Sequence, residues 1–151
     1  MAGFLKGSSS YVRMEVHVEF TVKYRHKIFD NAQVRERCAQ IFSEVAARTQ
    51  IVIAEIGFDR DHVHMVIQMR AKHSLEQIAK SLKGSSGRAL LSEFPLIKQR
   101  FFWKSGLWSG AIYGDGIGRE REKACVYVRN QGKKNPIQDL GRFLNSNSTS
   151  L

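Results

Sequence analysis

One alternating stretch constrains the fold more strongly than any other part of the sequence. Between His62 and Met69 every second side chain is apolar, which is the period of a β-strand that buries one face. The apolar positions are Val63, Met65, Ile67 and Met69. His62 and His64 therefore project from the opposite face, where two imidazoles two residues apart can hold one metal ion. Two inert, hydrogen-bonded histidines are the alternative, and the spacing alone does not exclude it. Asp61, just before His62, either orients that imidazole or serves only as a turn residue.

Three further segments predict strands. Residues 14–24 alternate in the same way, and residues 51–58 lead into the histidine strand through a tight polar link, which predicts a hairpin. A short strand begins near Ser109. It enters a segment with four glycines between residues 110 and 118, and this density of glycine predicts a hinge.

Two long helices separate these strands. Asp30 or Asn31 can cap a helix that runs to about Thr49, and a capping box at residues 74–77 begins a helix that Pro95 ends. The order strand, helix, strand, strand, helix, strand predicts an α+β protein with the ferredoxin-like split βαβ fold. In that fold an antiparallel sheet carries helices on one face. The histidine strand is then central, with its imidazoles on the open face.

An extra C-terminal helix is expected at residues 119–131. It brings Tyr127 and Gln131 onto one face, because residues four apart are neighbours on a helix surface. A tyrosine that only packs on the sheet is the alternative interpretation.

The two ends of the chain are expected to lie outside one central domain. The Gly- and Ser-containing residues 1–13 predict a flexible N-terminus without the apolar core of a signal peptide, and residues 136–151 form an extension with a disordered end. We therefore expect a single domain at residues 14–135. No apolar run is long enough to span a membrane. Cys38 and Cys125 have apolar neighbours, which favours buried free thiols of a cytoplasmic protein.

Charge is the compositional feature that bears on partners. The chain has 24 Lys and Arg against 14 Asp and Glu, a net charge of +10, which favours a polyanionic partner over a merely solvated basic surface. Basic and aromatic residues mix at 23–27 and 101–108, a pattern that suits phosphate contacts and base stacking, although residues 23–27 also fit an ordinary strand end. The small residues 84–87 allow close approach of another backbone, and the serines among them can donate hydrogen bonds to phosphates. The candidate DNA contacts are Lys23, Arg25, Lys83, Ser85, Ser86, Arg88, Trp108 and Arg129.

Five short segments resemble a known family, the HUH-type single-tyrosine transposases of small insertion sequences, which move as single-stranded DNA. The segments occur in the family's order and cover about residues 14–135. They are Lys23-Tyr24-Arg25, Asp61-His62-Val63-His64, Leu82-Lys83-Gly84-Ser85-Ser86, Leu107-Trp108-Ser109 and Tyr127-Val128-Arg129-Asn130-Gln131. Residues 113–116 depart from the family, which commonly has an aromatic-rich run there.

The resemblance implies a DNA transposase that cuts and rejoins single strands at insertion-sequence ends. Tyr127 is implied to be the nucleophile, leaving a 5′-phosphotyrosine and a free 3′-OH. His62, His64 and Gln131 are implied to hold a divalent metal ion, Mg²⁺ or Mn²⁺ in this family, whereas imidazole ligands alone would more readily suggest zinc or manganese. The implied partners are single-stranded DNA with hairpin ends and a second copy of the chain. In the family's homodimer, the tyrosine helix of one chain completes the histidine site of the other.

Other functions are compatible with parts of the pattern. A related HUH nickase, such as a replication initiator, a relaxase or a domesticated transposase acting on palindromic repeats, would share the histidine pair, although relaxases usually have a third histidine and a longer chain. A non-catalytic ferredoxin-like module for RNA or single-stranded DNA reads bases with aromatics on its central strands, where this chain has His62 and His64. A zinc deaminase needs a His-x-Glu motif and a cysteine pair, and neither occurs.

Overall fold

A four-stranded antiparallel sheet forms the centre of the chain. The computed structural model describes residues 5–6, 11–12, 14–102, 105–116 and 128–130. The strands are β1 (Leu5–Lys6), β2 (Tyr11–Val12), β3 (Met14–Thr21), β4 (Val52–Phe58), β5 (His62–Met69) and β6 (Tyr113–Gly116). β1 and β2 pair with each other, and the main sheet has the order β4-β5-β3-β6 with every pair antiparallel. The histidine strand β5 therefore lies between β4 and β3, as predicted.

Helices connect the strands of the main sheet. The described helices are α1 (Ala32–Thr49), α2 (Leu75–Glu93) and α3 (Pro95–Phe101). Asn31 caps α1 and Ser74 caps α2, because each side chain accepts hydrogen bonds from backbone amides of the first turn. Pro95 follows the end of α2 as predicted, but it also begins α3, which the sequence patterns did not predict. Proline suits a first helical position, where its missing N–H would have no intrahelical partner.

The apolar faces of β3 and β5 line the core with the two long helices. Phe20, Met65 and Ile67 are completely buried there, which agrees with the alternation of both strands. Cys38 of α1 is a buried free thiol, as predicted, whereas Cys125 lies outside the described residues.

Small residues of α2 admit the indole of Trp108 into this core. A β-carbon placed on Gly87 would lie 3.6 Å from Cδ1 of Trp108, and the indole Nε1 donates a hydrogen bond of 2.9 Å to Oγ of Ser86. Val22, just after β3, forms an isolated antiparallel bridge with Trp108. The connection before β6 is thereby held against both the sheet and α2.

The order and pairing of the elements confirm the α+β, ferredoxin-like split βαβ fold. Of the expected C-terminal helix only residues 128–130 are described, and Val128 and Arg129 are helical. Among the described helices, none is both long enough and apolar enough to cross a membrane.

Candidate functional site

The face of the sheet turned away from α1 and α2 carries a cluster of polar side chains. The antiparallel register of β3 and β5 places Glu19 opposite His64 and Thr21 opposite His62. His62 and His64 are only 1% and 0% exposed, and their ring centroids lie 5.0 Å apart. The two imidazoles therefore lie together on the face opposite α1 and α2, as the alternation predicts, and both are buried there.

Glu19 brings a carboxylate to these two imidazoles. Its Oε2 lies 3.5 Å from Nε2 of His64, and one possible ligand atom from each of the three residues lies within 4.8 Å of the others. Nε2 of His62 is buried and forms no hydrogen bond with the described residues, although a carboxylate oxygen of Asp59 lies 3.8 Å away. A buried nitrogen of this kind needs a partner, and two imidazoles with a carboxylate can bind a divalent cation. These residues therefore fit a divalent metal ion.

Asp61 holds the imidazole of His62 from the opposite side of the ring. The Nδ1 atom of His62 lies 2.6 Å from Oδ1 of Asp61, and Nε of Arg25 donates a 2.9 Å hydrogen bond to Oδ2 of the same carboxylate. Burial alone would raise the pKa of Asp61, but the hydrogen bonds from His62 and Arg25 hold that pKa below its ordinary value. Of the two interpretations of Asp61, the geometry supports the one in which it orients an imidazole.

His17 holds the second imidazole in a similar way. Nε2 of His17 lies 3.1 Å from Nδ1 of His64, and the two rings stack with centroids 5.1 Å apart. Burial lowers the pKa of His17 to about 4 against the opposing charge of Asp115, and burial with the neighbouring histidines lowers the pKa of His64 to about 2. Both rings are therefore neutral near pH 7, and the neutral imidazole is the form that binds metal.

The described part of the C-terminal helix also contacts this face of the sheet. Arg129 forms an ion pair with Glu55, which the register of β4 and β5 places on the same face as His64. Val128 beside it is completely buried. Outside the described residues lie the predicted nucleophile and the predicted third metal ligand, Tyr127 and Gln131.

Three of the candidate DNA contacts form hydrogen bonds that hold α2 and the segment before β6 together. Ser86 and Trp108 are buried and hydrogen-bonded to each other. Nζ of Lys83 donates to the backbone carbonyls of Ser109 and Ala111, at 2.5 and 3.4 Å, and burial lowers the pKa of this lysine. These contacts connect α2 to the segment before β6.

The other candidate DNA contacts keep accessible side chains. Arg25 and Arg129 are each paired with a carboxylate of the site region, and both remain more than half exposed. Arg88 is exposed, while Lys23 and Ser85 are half-buried.

Sequence reasoning did not identify Glu19 and His17 as parts of the site. The alternation of β3 already placed both on its polar face, and this was the available signal. What was missing is the register between β3 and β5, because these strands are separated in the chain by α1 and β4 and no short turn sets their pairing.

Comparisons with known proteins give a consistent result. The family described as "Transposase IS200 like" matches residues 10–131. The ISDra2 transposase TnpA of Deinococcus radiodurans is 27% identical over 104 residues, which cover 69% of this chain and 73% of the relative. A transposase for insertion sequence element IS200 from Salmonella typhimurium is 26% identical over 115 residues, 76% of this chain and 74% of the relative.

Two solved structures share the fold. A crystal structure of a Deinococcus radiodurans protein described as a transposase has a TM-score of 0.67 and 26% identity, over 84% of this chain and 98% of that one. A tyrosine transposase bound to a REP hairpin has a TM-score of 0.62 and 10% identity, over 89% of this chain and 74% of that one, which is evidence for the fold alone. Because the family match covers most of the chain, this protein belongs to the IS200-like transposase family and is a DNA transposase.

Proposed function

We propose that this transposase cuts and rejoins single-stranded DNA at insertion-sequence ends through a covalent tyrosine intermediate. The observation that carries the proposal is the cluster of Glu19, His62 and His64 on the sheet face that Arg129 also contacts. Tyr127 lies two positions before Arg129 in the sequence. A metal-binding cluster and a tyrosine whose phenol reaches it are the two components that a tyrosine strand transferase needs.

Tyr127 is the proposed nucleophile. Its Oη forms a bond to the phosphorus of the scissile phosphodiester while the bond from phosphorus to the 3′-oxygen breaks. The phenolic proton is transferred, in net terms, to that oxygen. The products are a 5′-phosphotyrosine and a free 3′-OH, and attack by a 3′-OH on the phosphotyrosine rejoins a strand and restores the phenol. Because one phosphoester replaces another, no external energy source is needed.

His62, His64 and Glu19, together with Gln131, are the residues proposed to hold the metal ion. When bound, a divalent cation supplies polarisation of a phosphoryl oxygen. We propose Mg²⁺ or Mn²⁺, because the carboxylate of Glu19 adds an oxygen donor of the kind that these ions prefer. Asp61 and His17 contact the Nδ1 atoms of His62 and His64. The Nε2 atoms of the two imidazoles are therefore the ones that would coordinate the metal ion.

The proposed substrate is a single strand that forms a hairpin near each insertion-sequence end. The net charge of +10 supports a nucleic-acid substrate, and one structural neighbour is a transposase bound to a REP hairpin. A domesticated nickase that acts on palindromic repeats is a less favoured alternative, because the matched relatives are transposases of insertion sequences.

We further propose that the active form is a homodimer. In one arrangement Tyr127 is delivered to the site of its own chain. The family resemblance instead implies delivery to the partner's site. Mixed dimers can distinguish these arrangements. One chain carries Tyr127→Phe and the other carries His62→Ala with His64→Ala. If the tyrosine acts in the partner's site, one complete site forms and some cleavage returns; if it acts in its own chain, the mixture stays inactive.

Formation of the covalent adduct tests the mechanism directly. The purified protein is incubated with end-labelled single-stranded DNA from an insertion-sequence end and Mn²⁺, and a denaturing gel detects protein bound covalently to DNA. Tyr127→Phe removes one hydroxyl and is expected to abolish the adduct. Tyr113→Phe is the matched control, because Tyr113 is an exposed tyrosine on β6 and its loss should leave the adduct intact. An adduct that persists in Tyr127→Phe would contradict the mechanism.

A further inference from the structure

We propose that Tyr24, His26 and Phe101 form a stacking platform for unpaired bases of the DNA strand, next to the histidine site. This inference rests on the proposed function and adds a binding site to it. The rings of Tyr24 and His26 meet edge to face at 5.8 Å, and those of His26 and Phe101 lie 4.4 Å apart and tilted by 34°. Two aromatic clusters that are distant in the sequence therefore form one continuous surface, called here the aromatic strip.

The backbone of Tyr24 indicates that this ring is held outward at an energetic cost. Tyr24 has φ 59° and ψ 13°, and Arg25 has φ 54°. These values lie in the left-handed region, which residues other than glycine seldom adopt. Two backbone hydrogen bonds hold the turn: the amide of Lys23 donates to Leu107 at 2.8 Å, and that of Arg25 donates to Val22 at 2.9 Å. Strain of this kind persists where the surroundings impose it, often at binding sites.

The exposure of Tyr24 does not serve folding. The side chain is 68% exposed, so it contributes little apolar burial to compensate for its strained backbone. Glycine would adopt the same φ without strain, and a small polar residue would expose less apolar surface. A ligand that covers the ring is the explanation that accounts for both the strain and the exposure.

Cations beside the aromatic strip favour an anionic ligand with flat rings. Nζ of Lys23 lies 5.6 Å from the ring centroid of Tyr24, and the guanidinium of Arg100 lies 5.0 Å from that of Phe101. Lys27 adds an exposed cation. Aromatic rings interleaved with cations bind single-stranded nucleic acids, because the rings stack on bases and the cations contact the phosphates between them.

A second exposed tyrosine of the described residues has the opposite electrostatic surroundings. Tyr113 is 62% exposed, but it pairs with Glu19 across the β3–β6 ladder and shares β6 with Asp115. Without a bound metal ion these carboxylates repel a phosphate backbone, so exposure alone does not make Tyr113 an equivalent platform in EDTA. This difference makes Tyr113 a matched control for Tyr24.

A chain of two hydrogen bonds places the aromatic strip beside the histidine site. Arg25, which follows Tyr24, donates to Asp61 at 2.9 Å, and Asp61 lies 2.6 Å from Nδ1 of His62. A base on Tyr24 therefore belongs to a nucleotide close to the phosphate that is cut. Bases inside a duplex already stack on both faces, so the strip accepts only unpaired nucleotides.

Fluorescence of 2-aminopurine, which stacking quenches, tests the platform. The base analogue is placed in single-stranded DNA from an insertion-sequence end and titrated with protein in EDTA, which prevents cleavage. Wild type is expected to quench the signal, and Tyr24→Phe, which keeps the ring, should bind with an affinity within about twofold of wild type. Tyr24→Ala should lose the quenching and bind about tenfold more weakly, while Tyr113→Ala should resemble wild type.

A second variant separates binding from folding. Tyr24→Gly relieves the left-handed strain, so its thermal unfolding midpoint should rise while its affinity for single-stranded DNA falls as in Tyr24→Ala. The inference would be overturned if Tyr24→Ala bound single-stranded DNA as tightly as wild type. It would also be overturned if Tyr113→Ala lost the quenching and Tyr24→Ala kept it. If wild type still cleaves single-stranded DNA in that case, the proposed function stands and only the platform is wrong. A wild-type protein that neither binds nor cuts single strands would overturn both.

Discussion

Replacing Asp61 with asparagine is expected to weaken Mn²⁺ binding about tenfold, which is about 1.4 kcal/mol. Asp61 accepts a 2.6 Å hydrogen bond from the ring of His62. Because that ring is only 1% exposed, water does not compensate for the loss of the Asp61 charge beside it. Partners that orient metal-binding histidines typically contribute a factor of about 10 to 100. The lower end applies here because the asparagine carbonyl can still accept the hydrogen bond from His62, although the negative charge and the hydrogen bond from Arg25 are lost.

Arg25 should have a smaller effect that depends on Asp61. Its side chain is 58% exposed, and an exposed ion pair contributes about 0.2–1 kcal/mol, so Arg25→Gln should weaken Mn²⁺ binding by a factor of about 1.4 to 5. In a chain that already carries Asp61→Asn, the same change should have almost no effect, because the charge that Arg25 held is gone. This double-mutant cycle identifies Arg25 as a residue that acts on the metal site through Asp61.

Isothermal titration of the DNA-free protein with Mn²⁺ measures these affinities, and thermal denaturation checks that each variant is folded. The control pair is Arg60 and Asp30, which form two 2.8 Å hydrogen bonds at the surface without contacting an imidazole. Arg60 is as exposed as Arg25, so Arg60→Gln and Asp30→Asn remove matched charges and should leave Mn²⁺ binding unchanged. Wild-type affinity in Asp61→Asn, or an equal loss in Asp30→Asn, would refute the reasoning.

Three other substitutions and one control examine the site and its support. His64→Ala should abolish cleavage but keep most DNA affinity, which comes mainly from Lys and Arg contacts with phosphates; cleavage and gel-shift assays check this, and wild-type cleavage in Mg²⁺ would disprove the metal assignment. Trp108→Phe should lower the free energy of unfolding by about 1–3 kcal/mol in urea denaturation, because the buried hydroxyl of Ser86 loses its indole donor. Gly114→Ala should destabilise by about 1 kcal/mol, because its β-carbon would lie 3.0 Å from a leucine side chain of α2. Gly116→Ala meets nothing within 4 Å and should not share this steric cost.

Local patterns in the sequence were sufficient for the elements and for the class of fold. Alternation identified β3 and β5, and the caps at Asn31 and Ser74 located the starts of α1 and α2, because each signal depends on residues only a few positions apart. α3 was missed, since Pro95 was interpreted only as the end of a helix. Tyr127 and Gln131 lie outside the described residues, so their roles stay predictions.

The sequence by itself determined that His62 and His64 share a face, because strand geometry sends every second side chain to the same side. Only the tertiary structure decided what surrounds them. The pairing of β3 with β5 brings Glu19 and His17 to the imidazoles, and this register depends on how α1 and the whole sheet pack. Packing likewise brought Lys83, Ser86 and Trp108 into internal contacts, which local sequence patterns do not reveal because the partners lie far apart in the chain.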